Sequence, residues 1–488
     1  MATTRHVANL LNEAAPMYQL PPEILTRILY LAVDHGSEEH AEQVIPLTHV
    51  CRYWRTLLLS YPRMWSTLCM KPGNPSVISE WLVRSENVPL TVIAEFIDTY
   101  HHPPCRYEDS ATATLPDPSE LDVCPRHEAV LSLNQLLPHR SRIYDLNILV
   151  HFSAPHWGYD NRDGEPTLLN HHFFRETLPD LERLNFRAAH FEGTSYMIPT
   201  PDHLFAGQLP RLRELKYLGV FGGLTETAKG LESCEIGHWF GTAGPAIISP
   251  ERFQVLFSNN KTVKSLVISD CEFFAHDFRV TTAAPLTDLN FLRICCFMGC
   301  DLETVLNSIH IPQFRSLDTV QLSVNFPRIR VAATDSSGRT FQFSQIIGKI
   351  PAFYPLRHLG AEITTLRLDR GMTLEFDRRS WLYDLLQSFN AVQVLEFAGA
   401  AASVRNVLSN ILSKAVFFPG LKIIRVAISR GDCRGSLPLL ALALKLRMKG
   451  GNPLATVEPL FTEGESGLSR VEWEKYYKAE GMQNLLSA

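Results

Sequence analysis

What this sequence lacks narrows it first. No charge of one sign dominates: 46 Lys and Arg face 51 Asp and Glu, a net charge of −5 over 488 residues. The basic stripe with interleaved aromatics that a nucleic-acid surface needs is missing, so no nucleic-acid partner is expected. Long apolar runs are missing too. The greasiest stretch, Leu437 to Leu446, is about half of what a bilayer crossing requires. The first twenty residues offer no apolar core ahead of a small-residue cleavage site, so neither a secretory leader nor a membrane partner is expected. Ten cysteines are too sparse for a disulfide scaffold, which points to reduced thiols and a cytoplasmic or nuclear location. Asn260-Lys261-Thr262 spells a glycosylation acceptor, but without export the match carries no meaning.

Catalytic signatures are also scarce. Gly222-Gly223 has no Lys-Ser/Thr behind it, and Gly348-Lys349 runs into Ile350, so neither forms a phosphate-cradling loop. Gly464-Glu465-Ser466-Gly467 is one residue short of a nucleophile elbow. His101, His102, Cys105, Cys124 and His127 cluster along the chain, yet their spacing fits no common zinc knuckle. No metal, no cofactor and no enzymatic activity are expected.

What is present is more informative. Pro21 and Pro22 can stand only ahead of a helix or in its first turn, so a helix begins near Glu23. Ile24, Leu25, Ile28, Leu29 and Val33 then recur at helical spacing. A second helix is expected from Val44 to Leu59, with Leu47, Val50, Cys51, Trp54, Leu57 and Leu58 on one side, the two pairing as a hairpin. The polar segment Asp34 to Gln43 joins them.

Together, Leu20-Pro21 and Glu23, the Val50-Cys51-Arg52-x-Trp54 run and the closing Pro62-Arg63-Met64-Trp65 resemble the F-box over roughly residues 17–68. The joining segment is longer than in a minimal F-box. The stretch with Trp81-Leu82 and Val88-Pro89-Leu90-Thr91-Val92 looks like the leader of F-box proteins that carry leucine-rich repeats. The resemblance implies a helical module docking on a Skp-type adaptor and through it on a cullin, while the rest of the chain holds a client protein for ubiquitylation. Leu20, Pro21, Ile24, Leu25, Ile28, Val50, Trp54 and Leu57 would then carry the adaptor contact.

After about residue 130 an apolar residue recurs at positions 1, 4, 7 and 9 of a repeating unit. Leu178-Leu181-Leu184-Phe186, Leu209-Leu212-Leu215-Tyr217, Leu286-Leu289-Leu292-Ile294, Phe314-Leu317-Val320-Leu322, Phe389-Val392-Leu395-Phe397 and Phe418-Leu421-Ile424-Val426 are the clearest copies. Ile143-Leu146-Ile148, Val263-Leu266-Ile268 and Ile363-Leu366-Leu368 are shorter ones. Several neighbours lie about 28 to 31 residues apart, close to the leucine-rich-repeat period. The last pair of each copy alternates in and out, as a short strand does. Helical segments such as Pro250 to Phe257 and Trp381 to Leu386 lie between. One strand and one helix cannot bury their apolar faces alone, so the units are expected to stack, strands concave and helices convex.

The expected fold is therefore α/β: an all-α F-box-like module at 17–68, a linker and leader at 69–130 with a loose Pro-rich loop at 99–127, a leucine-rich-repeat-like arc at 131–435, and a cap helix with tail at 436–488. Gly219 to Ser249 and Phe326 to Gly348 read as insertions, the second turning at Asp335-Ser336-Ser337-Gly338. Residues alternating with the buried ones would present a mixed face of cationic tilt, with Arg183, Arg187, Lys216, Arg293, Arg367 and Arg425 as candidate client contacts. The competing expectation is a leucine-rich scaffold unrelated to ubiquitin, its N-terminal helices merely capping the first repeat.

Overall fold

The computed structural model describes residues 16–71, 75–98, 125–153, 171–191, 204–218, 228–237, 246–248, 250–269, 271–273, 284–296, 309–310, 319–325, 328–346, 363–368, 386–387, 389–397, 417–426, 445, 447, 449 and 456–459. The protein is mixed α/β, with mostly parallel strands and several helices. Its chain divides into two units, Met1–Lys229 with Trp239–Gly244 and Gly230–His238 with Pro245–Ala488. The metal-tempting cluster between His101 and Cys124 lies outside the described residues, and among those described no group of ligating side chains could hold a metal.

The first unit opens with three helices where the sequence suggested two. Helix α1, Pro22–Leu31, begins on proline, and Pro21 supplies the carbonyl that accepts from the N–H groups of Ile24 and Leu25, both at 3.0 Å. Helix α2, His40–Val50, then breaks at Cys51, whose backbone is extended, and α3 continues as Arg52–Leu59. The expected single helix from Val44 to Leu59 is thus corrected. Cys51 takes the N-cap position, and its Sγ accepts from the Trp54 N–H at 3.4 Å.

A 3₁₀ turn, Pro62–Trp65, closes this region. Trp65 is buried; its Nε1 donates to the Leu58 carbonyl at 2.7 Å, and its ring meets Trp81 edge-on at 4.9 Å. The Arg84 guanidinium lies 4.5 Å above the same ring. His40 is fully buried, its ring 5.7 Å from that of Trp81 and its Nε2 3.1 Å from the Met64 carbonyl, and burial pushes its pKa down.

Five parallel strands follow in chain order: β1 Thr67–Met70, β2 Leu90–Asp98, β3 Ile143–Ser153, β4 Arg183–Phe191 and β5 Glu214–Leu218. The strands therefore begin before residue 131: β1 straddles the end of the stretch read as the helical module, and β2 lies in the stretch read as leader. Helices α4, Pro75–Arg84, and α5, Pro125–Leu136, with the short α6, His172–Arg175, lie between them in sequence. Arg142 ties the leader to β3: its guanidinium donates to the Ser85 and Val88 carbonyls and, at 2.7 Å, to Ser85 Oγ.

The second unit contains β6 Ser233–Gly237, β7 Ala246–Ile248, helix α7 Pro250–Asn259, β8 Ser265–Ser269, β9 Cys271–Phe273, β10 Ala284–Pro285, β11 Phe291–Cys296, β12 Ile309–His310, β13 Thr319–Asn325, β14 Arg328–Thr334, β15 Thr340–Ile346, β16 Thr365–Leu368, β17 Val394–Phe397, β18 Ile423–Val426 and β19 Thr456–Pro459. Its principal strand order is β6-β8-β11-β15-β14-β13-β16-β17-β18-β19, in which β14 alone runs antiparallel to its neighbours; β7 pairs with β9 and β10 with β12.

Equivalent positions of the repeating pattern stack on one another. Leu184 registers with Leu215, Leu266 with Leu292, and Leu366 with Leu395 and then Ile424. The ninth positions do the same, and Phe186 stacks on Tyr217 at 5.2 Å. These side chains are all buried. The backbone repeats too: the carbonyl just before a strand accepts two N–H groups from the next, as Glu182 does from Arg213 and Glu214, and Gln393 does from Lys422 and Ile423.

Both stretches read as insertions contribute strands. Ala228, Leu231, Cys234 and Ile236 keep the 1, 4, 7, 9 spacing, are wholly buried, and place β6 within Gly219 to Ser249. Burial pushes the Cys234 thiol up to about 12, which leaves it unreactive. Phe326 to Gly348 forms a meander: β15 pairs in parallel with β11, and β13 in parallel with β16, so the parallel order resumes on both sides.

The meander's turn forms where expected. Asp335 accepts from the Ser337 N–H and Oγ at 2.9 and 2.7 Å, and from the Arg339 N–H and Nε at 2.9 and 2.6 Å. Burial opposes ionisation of its carboxyl, but these donors outweigh it and hold the pKa down to about 2. An Asp335→Ala variant should lose about 1.5–3 kcal/mol at neutral pH. A depressed folded-state pKa stabilises fully above the unfolded value of about 4, so the deficit should shrink as pH falls from there toward 2. Urea unfolding across that range checks it; a pH-independent deficit refutes the assignment.

Candidate protein-interaction surfaces

Helix α1 carries apolar residues on more of its circumference than one contact can use. Leu25, Leu29 and Val33, at i, i+4 and i+8, are buried within the unit. Ile24, Ile28 and Leu31, at i, i+4 and i+7, form a second stripe that is 47 %, 44 % and 71 % exposed. Helix α2 repeats this division: His40, Val44 and Thr48 turn inward, while Ile45 and Val50 are exposed. With Met17, six of the ten large exposed apolar side chains among the described residues fall between positions 17 and 50. Such concentration departs from the scattered single apolar residues of an ordinary surface.

The residues expected to meet an adaptor separate accordingly. Pro21, Ile24, Ile28 and Val50 are exposed; Leu20, Trp54 and Leu57 are half-buried; Leu25 faces its own core. Met17, Leu31 and Ile45, absent from the expected adaptor contacts, join the exposed flank. The i, i+4, i+7 spacing of Ile24, Ile28 and Leu31 was the signal that could have found the outer stripe.

The second surface is the polar face of the strands. In the first unit, the register aligns Thr67, Thr91, Asp145, Arg183 and Glu214 in one row, and Cys69, Ile93, Asn147, Asn185 and Lys216 in the next. A third row holds Glu95, Leu149, Arg187 and Leu218. Arg183 pairs with Asp145 at 2.8 Å and its guanidinium lies 5.1 Å from the Tyr144 ring. Burial raises the Asp145 pKa, against the pull of Arg183.

In the second unit, Arg367, Glu396, Arg425 and Glu458 form one alternating row. Arg425 donates at 2.9 Å to both Glu396 and Glu458, and these bonds raise its pKa. The cationic tilt expected of this face is thus reduced by cross-strand pairing: Arg183 and Arg425 are already engaged by acids, and of the six candidate client residues Arg293 is exposed while the other five are half-buried.

Against models of known protein families and against curated proteins, the chain finds no match. Among the described residues no helix is long and apolar enough to cross a membrane.

Proposed function

We propose that the protein is a non-catalytic substrate receptor of a Skp-cullin-F-box type ubiquitin ligase. The N-terminal helices dock on the Skp-type adaptor through the outer stripe of α1 and the exposed side of α2, and the leucine-rich-repeat-like strands present their polar face to a client. The observation that supports this most is the pair Ile24 and Ile28, exposed at 47 % and 44 % on a helix whose inner stripe is already satisfied by the chain's own core. An apolar flank left open in this way fits a helical partner better than an end cap for the strands, which would consume it. Stacked repeats supply extended surfaces suited to gripping another protein.

Co-expression with a Skp-type adaptor followed by size-exclusion chromatography tests the proposal. A stable one-to-one complex is expected. Ile24→Asp with Ile28→Asp should weaken it by at least about 100-fold, because buried charges replace two apolar anchors, while thermal unfolding stays unchanged. Failure of the unaltered chain to bind would leave the alternative of a scaffold unrelated to ubiquitin.

A further inference from the structure

The strand face of the second unit has one stretch that no acid interrupts. Its pairing carries a single row across five strands: Arg293 on β11 registers with Gln342 on β15, Gln342 with Ala332 on β14, Ala332 with Gln321 on β13, and Gln321 with Arg367 on β16. None of these five strands contains Asp or Glu, and their charged residues are Arg293, Arg328, Arg330 and Arg367. Elsewhere acids meet arginines across neighbouring strands, as Asp145 meets Arg183 and as Glu396 and Glu458 meet Arg425. Glu396 adjoins Arg367 in register, but Arg425 holds it at 2.9 Å. Among the described residues, the arginines at both ends of the row therefore lack an ion pair, and Arg367 Nε, sheltered from solvent, has no hydrogen-bond partner.

We infer that this row binds an extended segment of a partner protein that carries two carboxylates about six residues apart. The inference rests on reading the strand face as the client surface, and it names what the client offers there. Four strand spacings separate the two arginines, roughly 19 Å, which no single carboxylate or phosphate can bridge. An extended chain covers that distance in about six residues at roughly 3.3 Å each. Charge favours the match, because an acid arriving at either end meets a fork of donors with no internal carboxylate to displace. Between the ends, the adjoining row sets Thr340, Thr334, Thr319 and Thr365 next to one another, and threonine hydroxyls can donate to or accept from a peptide backbone. Arg293 is exposed and Arg367 half-buried, so the Arg367 contact is the better shielded from water and contributes more.

Fluorescence anisotropy of the full chain with a labelled heptapeptide, glutamate at both ends and glycine and serine between, tests this. It should bind about 3- to 5-fold tighter than a peptide with one glutamate, whose single acid takes Arg367, and than one with both glutamates side by side. Arg367→Gln should weaken the two-acid peptide at least 10-fold. In Arg293→Gln the two-acid and one-acid peptides should bind alike. Affinity that ignores the spacing of the glutamates, or that survives both substitutions, overturns the inference. The spacing comparison uses the unaltered chain, so it decides even where a variant fails to fold. Both substitutions should leave the adaptor complex intact. A chain that binds the spaced peptide but no adaptor refutes the docking proposal alone; one that binds the adaptor but not the peptide refutes this inference alone.

Discussion

Replacing Trp65 with alanine should destabilise the first unit by about 3–5 kcal/mol, the range for removing a buried aromatic side chain. That is a large fraction of the stability of a typical domain. The ring is packed against Trp81, lies beneath Arg84, and satisfies the Leu58 carbonyl at the end of α3. Removing it leaves a cavity and a carbonyl without its donor. Trp65→Phe keeps most of the volume and the edge-on contact but not the N–H, so it should lose only about 1–2 kcal/mol beyond any packing change. Chemical denaturation followed by tryptophan fluorescence and helical signal measures both. An alanine variant that unfolds within about 0.5 kcal/mol of the unaltered chain would show that Trp65 does not hold the helices to the first strands. If the proposed adaptor docking holds, that complex should also fail in Trp65→Ala, through unfolding, whereas Ile24→Asp with Ile28→Asp should weaken it in a folded protein.

The strand positions were legible because burial there is decided locally. An apolar pair at positions 7 and 9, after another at 1 and 4, fixes a strand's inward face whatever its neighbours are, and each described residue of those copies is buried. The copy at Ala228, Leu231, Cys234 and Ile236 escaped because alanine and cysteine are small and seven glycines surround it. At the end of that strand a Cβ on Gly237 would stand 2.0 Å from the Ser269 carbonyl oxygen, so glycine is required by close backbone approach where it suggested a loop. The meander was legible as a turn at Asp335, but which strands it would join depends on pairing across distant sequence, and local alternation carries no record of that. The break at Cys51 was hidden for a related reason: Val50 and Arg52 continue the helical pattern, and one extended residue interrupts the backbone without interrupting the hydrophobic period.

The surfaces were less legible than the fold. Apolar spacing on α1 showed that the helix is greasy; it could not say which residues the core consumes, because that depends on where Trp65 and the first strands pack. Leu25 and Ile24 are adjacent in sequence and opposite in fate. On the strand face the arginines were found by alternation, but their neutralisation was not, since Glu396 and Glu458 meet Arg425 only once the register is set. Glu38 was invisible as a partner for Arg187, 3.8 Å from it in space but far away in sequence in a polar loop.

Asn260 should prove nearly as sensitive as Trp65, for a polar reason. It sits just past α7, fully buried; its Nδ2 donates to the Leu256 carbonyl at 2.7 Å and its Oδ1 accepts from the Leu231 N–H at 2.9 Å. One amide thus closes the helix end and fastens it to the start of β6, while Thr262 Oγ1 donates to the Leu231 carbonyl at 3.2 Å. Asn260→Ala strands a donor and an acceptor away from water, at about 1–3 kcal/mol for each group. This burial also forbids glycosylation at the acceptor pattern. Asn260→Asp separates the two bonds. Its carboxylate can still accept from Leu231 but turns an unprotonated oxygen toward the Leu256 carbonyl, and burial raises the folded-state pKa above the unfolded value of about 3.9. A raised folded-state pKa leaves the aspartate form's stability intact below pH 4 and removes it as pH rises through the shifted value. Measured against the unaltered chain, Asn260→Asp should therefore be deficient by more at pH 7.5 than at pH 4.5, a deficit that grows with pH as for Asp335→Ala but in a window above about pH 4 instead of below it. A deficit that stays level between those two pH values would mean the amide donor to Leu256 is not what fastens α7.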